Sequence, residues 1–234
     1  MKKEVSDEVF ASFLKKVDLK DYRRKYRPIK IVEMDLPKDI QAIALLYETY
    51  WNKRELLDFN EFYEVYLKEK KELLETFRKK IMMCEKCFYL GLPARIYRTW
   101  ASLITQIHAG YVAESVFGDN SVAMSEELDH EGADFQVNYK EHILNYQVKK
   151  ESMSREIRRE KKKKKPIAGE FIDIKYYVPS EDVFENPKKK NGELKLPYLR
   201  FTNDKNLQRF DNGFVVFTKI AFLPKKQEID FKLK

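Results

Sequence analysis

The sequence predicts an α/β protein with a mostly helical first half and a second half rich in β-strands. Apolar residues recur at helical spacing through residues 7–20, 40–51, 59–91 and 94–116. After Gly118, short β-type runs occur at 133–139, 142–149, 170–178 and 213–218, with turn residues between them. The length of 234 residues suits one domain (1–234) made of a helical part (1–117) and a β-rich, basic part (118–234).

Local sequence features support several of the predicted helices. Ser6 is a suitable N-cap for the first helix, and prolines bound an extended stretch over residues 26–37. The longest helical pattern is rich in Glu and Lys and is expected to end near Gly91, Leu92 and Pro93. The helix that follows is more apolar, so its aromatic and aliphatic residues are expected to belong to the core.

The charge of the chain is unevenly distributed. Residues 1–146 carry 23 Lys/Arg and 25 Asp/Glu, whereas residues 147–234 carry 23 and 13. The segment 149–165 alone holds ten basic and three acidic residues. Such a patch favours a polyanionic partner such as nucleic acid. The run Lys161–Lys165 taken alone is equally well explained as a solvated loop.

Several classes of protein are disfavoured by the sequence. No apolar run approaches the roughly 18 residues that a membrane span needs, and the N-terminus lacks the apolar region of a secretory signal, so no membrane association and a cytoplasmic location are expected. Cys84 and Cys87 form an isolated C-x-x-C, which favours two ordinary thiols over a redox or metal role.

An aspartate and a lysine at a defined spacing in two successive β-runs provide a candidate catalytic centre. Asp134 opens one β-run, and the next run contains Gln147, Val148 and Lys149, giving the pattern D-x12-Q-x-K. Adjacent antiparallel strands lie about 5 Å apart, so groups on both can reach one metal ion. Mg²⁺ prefers oxygen ligands, which Asp134, the Gln147 side chain and the Val148 carbonyl would supply.

The remaining groups of such a centre also have candidates. Lys149 would orient or deprotonate the attacking water and stabilise the developing charge. Asp129, across a turn made flexible by Gly132, is a possible second carboxylate, and a turn or capping role is its alternative. Glu114 is a third candidate ligand, with a surface or capping role as its alternative.

The motif resembles that of the PD-(D/E)xK nuclease superfamily, with Gln in place of the acid of the second half-motif. More closely, the chain resembles the TaqI family of type II restriction endonucleases. The matching phrases occur in order at 19–37, 46–51, 91–99, 127–129, 132–134, 147–151 and 212–217. The resemblance therefore covers most of the chain, and it implies a mixed β-sheet flanked by helices, with an N-terminal helical subdomain.

The resemblance also implies an activity. Enzymes of this family are Mg²⁺-dependent homodimers that cut double-stranded DNA at the palindrome TCGA (T^CGA) and leave 5′ overhangs, and their hosts carry a cognate DNA methyltransferase. Two family aspartates fall on Asp129 and Asp134, and the catalytic lysine falls on Lys149. Lys150, Ser152, Ser154, Arg155, Arg158 and Arg159 follow it and are candidate DNA contacts. The alternatives are a repair or nicking nuclease on the same core and a catalytically inactive DNA-binding protein.

Overall fold

The structure is a computed structural model that describes residues 5–26, 36–151 and 167–232. It has mixed α/β architecture, as the sequence predicts, and its chain divides into two compact units. One unit contains Met1–Ile107 and Phe210–Phe214, and the other contains His108–Arg209 and Val215–Lys234. Within the described ranges, every helix is too short or too polar to cross a membrane.

The regular elements of the first unit, among the residues described, are helical. They are α1 (Asp7–Lys16), α2 (Leu19–Lys25), a 3-10 turn (Lys38–Ile40), α3 (Ile43–Leu46), a π-helical segment (Tyr47–Asn52), α4 (Phe59–Lys80) and the first part of α5 (Glu85–Phe117). The predicted N-cap is confirmed, because the Ser6 hydroxyl accepts a hydrogen bond from the Val9 N–H at 3.3 Å. Asp58 and Glu61 form a capping box at the start of α4.

Aromatic side chains fill the core of the first unit. Phe59, Tyr50 and Trp100 are fully buried. The Trp100 indole N–H donates to the Tyr50 hydroxyl at 2.8 Å, and the Tyr66 hydroxyl donates to the Ile40 carbonyl at 2.7 Å. The buried polar tips of these rings thus have partners, as burial requires. The prediction that the apolar stripe around Trp100 belongs to the core is confirmed.

The predicted end of the long helix near Gly91 and Pro93 is wrong. Helix α4 ends at Lys80, and α5 begins at Glu85 and runs through Pro93. The break falls at Met82, which adopts a left-handed backbone with φ 52°. Proline removes one helical hydrogen bond, but the neighbouring Phe88 and Leu92 are fully buried, and their packing compensates for it. The stretch predicted to be extended falls mostly on residues 27–35, outside the described residues.

The second unit contains a four-stranded mixed sheet in the order β1-β2-β3-β4. Its strands are β1 (Val122–Ala123), β2 (Phe135–Tyr139), β3 (His142–Lys150) and β4 (Glu170–Tyr176). The first three pair antiparallel, whereas β4 lies parallel to β3. The β-runs predicted at 133–139, 142–149 and 170–178 are therefore confirmed.

The second unit contains further elements besides this sheet. They are α6 (Glu126–Glu131), α7 (Glu181–Glu185), α8 (Leu196–Thr202), a 3-10 turn (Lys219–Ala221) and α9 (Leu223–Lys232), together with the C-terminal end of α5. A separate antiparallel pair joins β5 (Leu207–Arg209) to β6 (Val215–Phe217), which confirms the β-run predicted at 213–218.

A two-residue turn joins β2 to β3 and sets their register. Lys140 and Glu141 both have positive φ, at 46° and 67°, as a type I′ hairpin turn requires. Asn138 and Tyr139 form the end of β2, within the β-run predicted at 133–139. The register places Phe135 opposite Tyr146, and these two rings stack with centroids 5.1 Å apart. Phe222 packs edge-on against both rings, so this face of the sheet is the core of the unit.

Candidate active site

Asp134 lies immediately before β2 and is held against β3 at two points. Its backbone N–H donates to the Tyr146 carbonyl at 2.8 Å. Its side-chain Oδ2 accepts the N–H of Val148 at 2.5 Å. The residue is only 7% exposed, so its carboxylate is fixed in place rather than extended into solvent. Burial, and then the charge on Asp134, raises the pKa of Tyr176.

The contact with Val148 follows from the point where β2 begins. The N–H of Val148 points towards the β2 edge of β3. The last pair of the two strands at this end is Phe135 with Tyr146, so no β2 residue lies opposite Val148 to offer a backbone carbonyl. The Asp134 carboxylate supplies the missing acceptor. Because the N–H and C=O of one strand residue point to the same edge, the Val148 carbonyl lies on the side of Asp134. The motif residues Asp134 and Val148 are thus brought together as the sequence predicts.

Lys149 makes an ion pair that the sequence reasoning missed. Its Nζ lies 2.6 Å from Oδ2 of Asp173 on β4, and the two side chains are 32% and 40% exposed. In the parallel register, Asp173 stands opposite Gln147, and Lys175 stands opposite Lys149. The alternating pattern of the run at 170–178 was a signal that Asp173 and Lys175 share one face, but the sequence does not say which strand they pair with.

The face of β3 that carries Lys149 is polar from Asn145 onwards. Gln147 is half-buried on this face, and Asn145 is fully buried. The Asn145 side chain accepts from the Gln136 amide at 2.8 Å and donates to the Ala168 carbonyl at 2.9 Å. This network ties β2 and the residues before β4 to the strand that carries Lys149.

Asp129 is helical, and the turn at Gly132 separates it from Asp134. It lies in α6, which Ser125 caps by accepting the Leu128 N–H at 3.2 Å. Gly132 ends this helix in the left-handed conformation at φ 101°, a position that favours glycine. The flexibility predicted for this turn stays a prediction. The Asp129 side chain is half-buried, and the residue lies in the sequence between β1 and β2.

The other predicted residues are distributed along the chain. Glu114 is half-buried near the end of α5, and Lys150 is exposed at the end of β3. Ser152, Ser154, Arg155, Arg158, Arg159 and the Lys161–Lys165 run lie outside the described residues. In the ranges that are described, no three His, Cys, Asp or Glu side chains are grouped so that they could hold a metal ion.

Cys84 directly precedes α5 and Cys87 lies in its first turn, and both are exposed free thiols. The Cys84 sulfur accepts the backbone N–H of Cys87 at 3.1 Å. Hydrogen bonding from the Cys87 thiol, and then from this N–H, lowers the pKa of the Cys84 thiol.

The chain matches a known protein family over most of its length. The model of the TaqI restriction endonuclease family matches residues 7–226. The chain belongs to the TaqI restriction endonuclease family. It is 34% identical to the type II restriction enzyme TaqI of Thermus aquaticus and 33% identical to TthHB8I of Thermus thermophilus. Each comparison spans 220 residues, 90% of this chain and 82% of the relative. No solved structure matches the chain significantly.

Membership of the TaqI family makes the protein a restriction endonuclease, a DNA-binding hydrolase of a restriction system. This conclusion agrees with the resemblance drawn from the sequence phrases and with the basic second half of the chain. Enzymes of this type generally need a divalent metal ion.

Proposed function

We propose that the protein hydrolyses both strands of double-stranded DNA at the palindrome TCGA, cutting as T^CGA to leave 5′ overhangs, with Mg²⁺ as its metal ion. The observation that carries the proposal is the buried Asp134 carboxylate, 2.5 Å from the backbone N–H of Val148. Val148 is followed directly by Lys149. Asp134, just before β2, is therefore held beside the β3 residue that precedes Lys149, and this arrangement supports the proposal of a nuclease centre.

The topology of the second unit supports a PD-(D/E)xK-type core. β1, β2 and β3 are antiparallel, Asp134 directly precedes β2, Lys149 lies on β3, and β4 lies parallel to β3. We assign the helices of the first unit to the N-terminal subdomain that the family resemblance implies. Gln147 occupies the position of the second acid, so this centre has one strand carboxylate fewer than the full motif.

The donor groups fit Mg²⁺ in their chemistry, because all of them are hard oxygens. Asp134 and the Val148 carbonyl would hold the ion, with the Gln147 side chain beside them on β3. Asp129 and Glu114 are the further acids that we assign to it. When bound, the ion polarises the scissile phosphate and lowers the pKa of a bound water.

The protein groups then have distinct tasks. Asp134 is fixed by Val148, so it needs no reorganisation to meet the substrate. The Lys149 ammonium would donate hydrogen bonds to the attacking water and to the phosphate oxygens, stabilising the negative charge that develops there. Lys150 is assigned to the DNA backbone, together with Ser152, Ser154, Arg155, Arg158 and Arg159.

The palindrome implies the assembly and its cellular setting. Two equivalent cuts in a two-fold symmetric site require two equivalent centres, so we propose a homodimer with one centre for each strand. A cognate DNA methyltransferase would protect the host DNA in the same cytoplasm.

Digestion of plasmid DNA tests the proposal. Purified protein is incubated with Mg²⁺ and, in parallel, with EDTA, and the fragment ends are sequenced. We expect Mg²⁺-dependent cuts at T^CGA alone. Nicks in one strand would favour a repair or nicking nuclease. Intact plasmid with both Mg²⁺ and Mn²⁺, together with retained DNA binding, would favour an inactive DNA-binding protein.

A further inference from the structure

The ion pair between Lys149 and Asp173 restricts a side chain that is otherwise mobile. Lysine has a flexible four-carbon stem, and its ammonium can occupy many positions at similar cost. Here, the Lys149 Nζ lies 2.6 Å from Asp173 Oδ2, a distance that indicates a charge-assisted hydrogen bond. Both side chains remain partly accessible, so the ammonium is held at a surface that a substrate can reach.

The register shows in which direction Asp173 draws the ammonium. Asp173 stands across the parallel ladder from Gln147, two residues before Lys149 on β3. Two residues of a strand span about 6.6 Å. The ion pair therefore turns the Lys149 side chain back along β3 to the level of Gln147 and Val148, on the β4 side of β3, whereas Asp134 contacts Val148 from the β2 side.

Lys175 is a second cation close to the Asp173 carboxylate. It stands directly opposite Lys149 and is exposed on the same face of the sheet. Like charges that face each other across a ladder repel. Asp173 lies two residues before Lys175 on β4, diagonal to Lys149, and its ion pair offsets that repulsion on the Lys149 side.

We propose that Asp173 is a positioning residue that holds the Lys149 ammonium at the height of the Asp134 carboxylate. The inference rests on the catalytic role proposed above for Lys149. Exposed ion pairs add little to stability, so the loss of this one should be seen in the reaction rate and not in unfolding. Misplacement of a reacting group by about 1 Å can cost about 100-fold in rate.

Single-turnover cleavage by Asp173→Asn tests the proposal. We expect the cleavage rate to fall by about 10- to 100-fold, with the DNA Kd, measured by fluorescence anisotropy under non-cleaving conditions, within about 3-fold of wild type. Asp173→Glu should recover part of the rate, because it restores the carboxylate. Asp182→Asn makes the same change at an exposed position in α7 and should cut at the wild-type rate.

A double-mutant cycle tests whether Asp173 acts through Lys149. In a Lys149→Ala background, with enzyme in excess and long incubation, Asp173→Asn should cause no further loss, since the group that it positions is gone. A multiplicative loss would overturn the proposal. So would a rise in the Mg²⁺ concentration needed for half-maximal rate, because that result would make Asp173 a metal ligand instead.

The two proposals can fail separately. If Lys149→Ala is slow while Asp173→Asn cuts at the wild-type rate, only the role of Asp173 is lost. If Lys149→Ala cuts at the wild-type rate, the catalytic role of Lys149 fails, and the role of Asp173 fails with it.

Discussion

Asp134 combines a structural role with its proposed chemical one. Its carboxylate is the acceptor for the N–H of Val148, a residue that is 9% exposed. A buried N–H without an acceptor costs about 1–3 kcal/mol. Substitutions at this position therefore affect two properties, and a comparison of two variants separates them.

Asp134→Asn and Asp134→Ala should differ in stability but not in activity. Both remove the charged oxygen ligand, so cleavage should fall by about 100- to 1,000-fold or more in each. Asn retains a side-chain oxygen for the Val148 N–H, so only Ala should lose about 1–3 kcal/mol of unfolding free energy. Plasmid cleavage and urea denaturation provide the two measurements. An Asn variant that cuts at the wild-type rate would remove Asp134 from the centre.

At the scale of elements, the placement of β4 depends on a close approach at Gly169. This glycine has φ 110°, and a Cβ built there would lie 2.5 Å from the Ile143 carbonyl oxygen. A side chain would therefore push the start of β4 away from β3. Asp173 lies on β4 four residues after Gly169, so this displacement of the strand would also disturb the ion pair between Asp173 and Lys149.

Gly169→Ala should lower the free energy of unfolding by about 2–4 kcal/mol, as the sum of backbone strain and steric overlap. Gly192→Ala is the matched control, because Gly192 also has positive φ, at 84°, but has no atom within 4 Å of a built Cβ. It should lose only about 1 kcal/mol. Urea denaturation of both variants measures the difference, and equal losses would show that the contact with Ile143 is unimportant.

The elements also show what could be predicted from the sequence. Strands β2 and β3 were found because alternation and a turn specify a hairpin locally. The ion pair of Lys149 with Asp173 was not found, because it joins residues 24 apart through a parallel pairing that no local pattern specifies. The break between α4 and α5 was misplaced, because Gly91 and Pro93 are strong local signals that burial of their neighbours overrides.

At the scale of the whole molecule, the proposed double-strand cleavage depends on the positive charge of the chain and on its assembly into a symmetric dimer. The net charge of +8 arises in residues 147–234, the part that contains Lys149 and the proposed DNA contacts. A basic surface binds either strand of a duplex without preference. One such centre can hydrolyse one strand at a time, so the proposed double-strand cut depends on a second copy of the chain.

A dimer with one inactive centre should therefore nick DNA rather than cut it. Wild-type and Asp134→Ala chains carrying different tags are mixed, and the mixed dimers are isolated through both tags. Light scattering should give the mass of two chains of 28.1 kDa plus their tags, both for the mixed dimers and for the tagged wild-type control. On a plasmid with one TCGA site, wild-type dimers should yield linear DNA, whereas mixed dimers should accumulate open circles, because only one strand meets an intact centre. Linear DNA formed by mixed dimers at the wild-type rate would mean that one centre cuts both strands in turn.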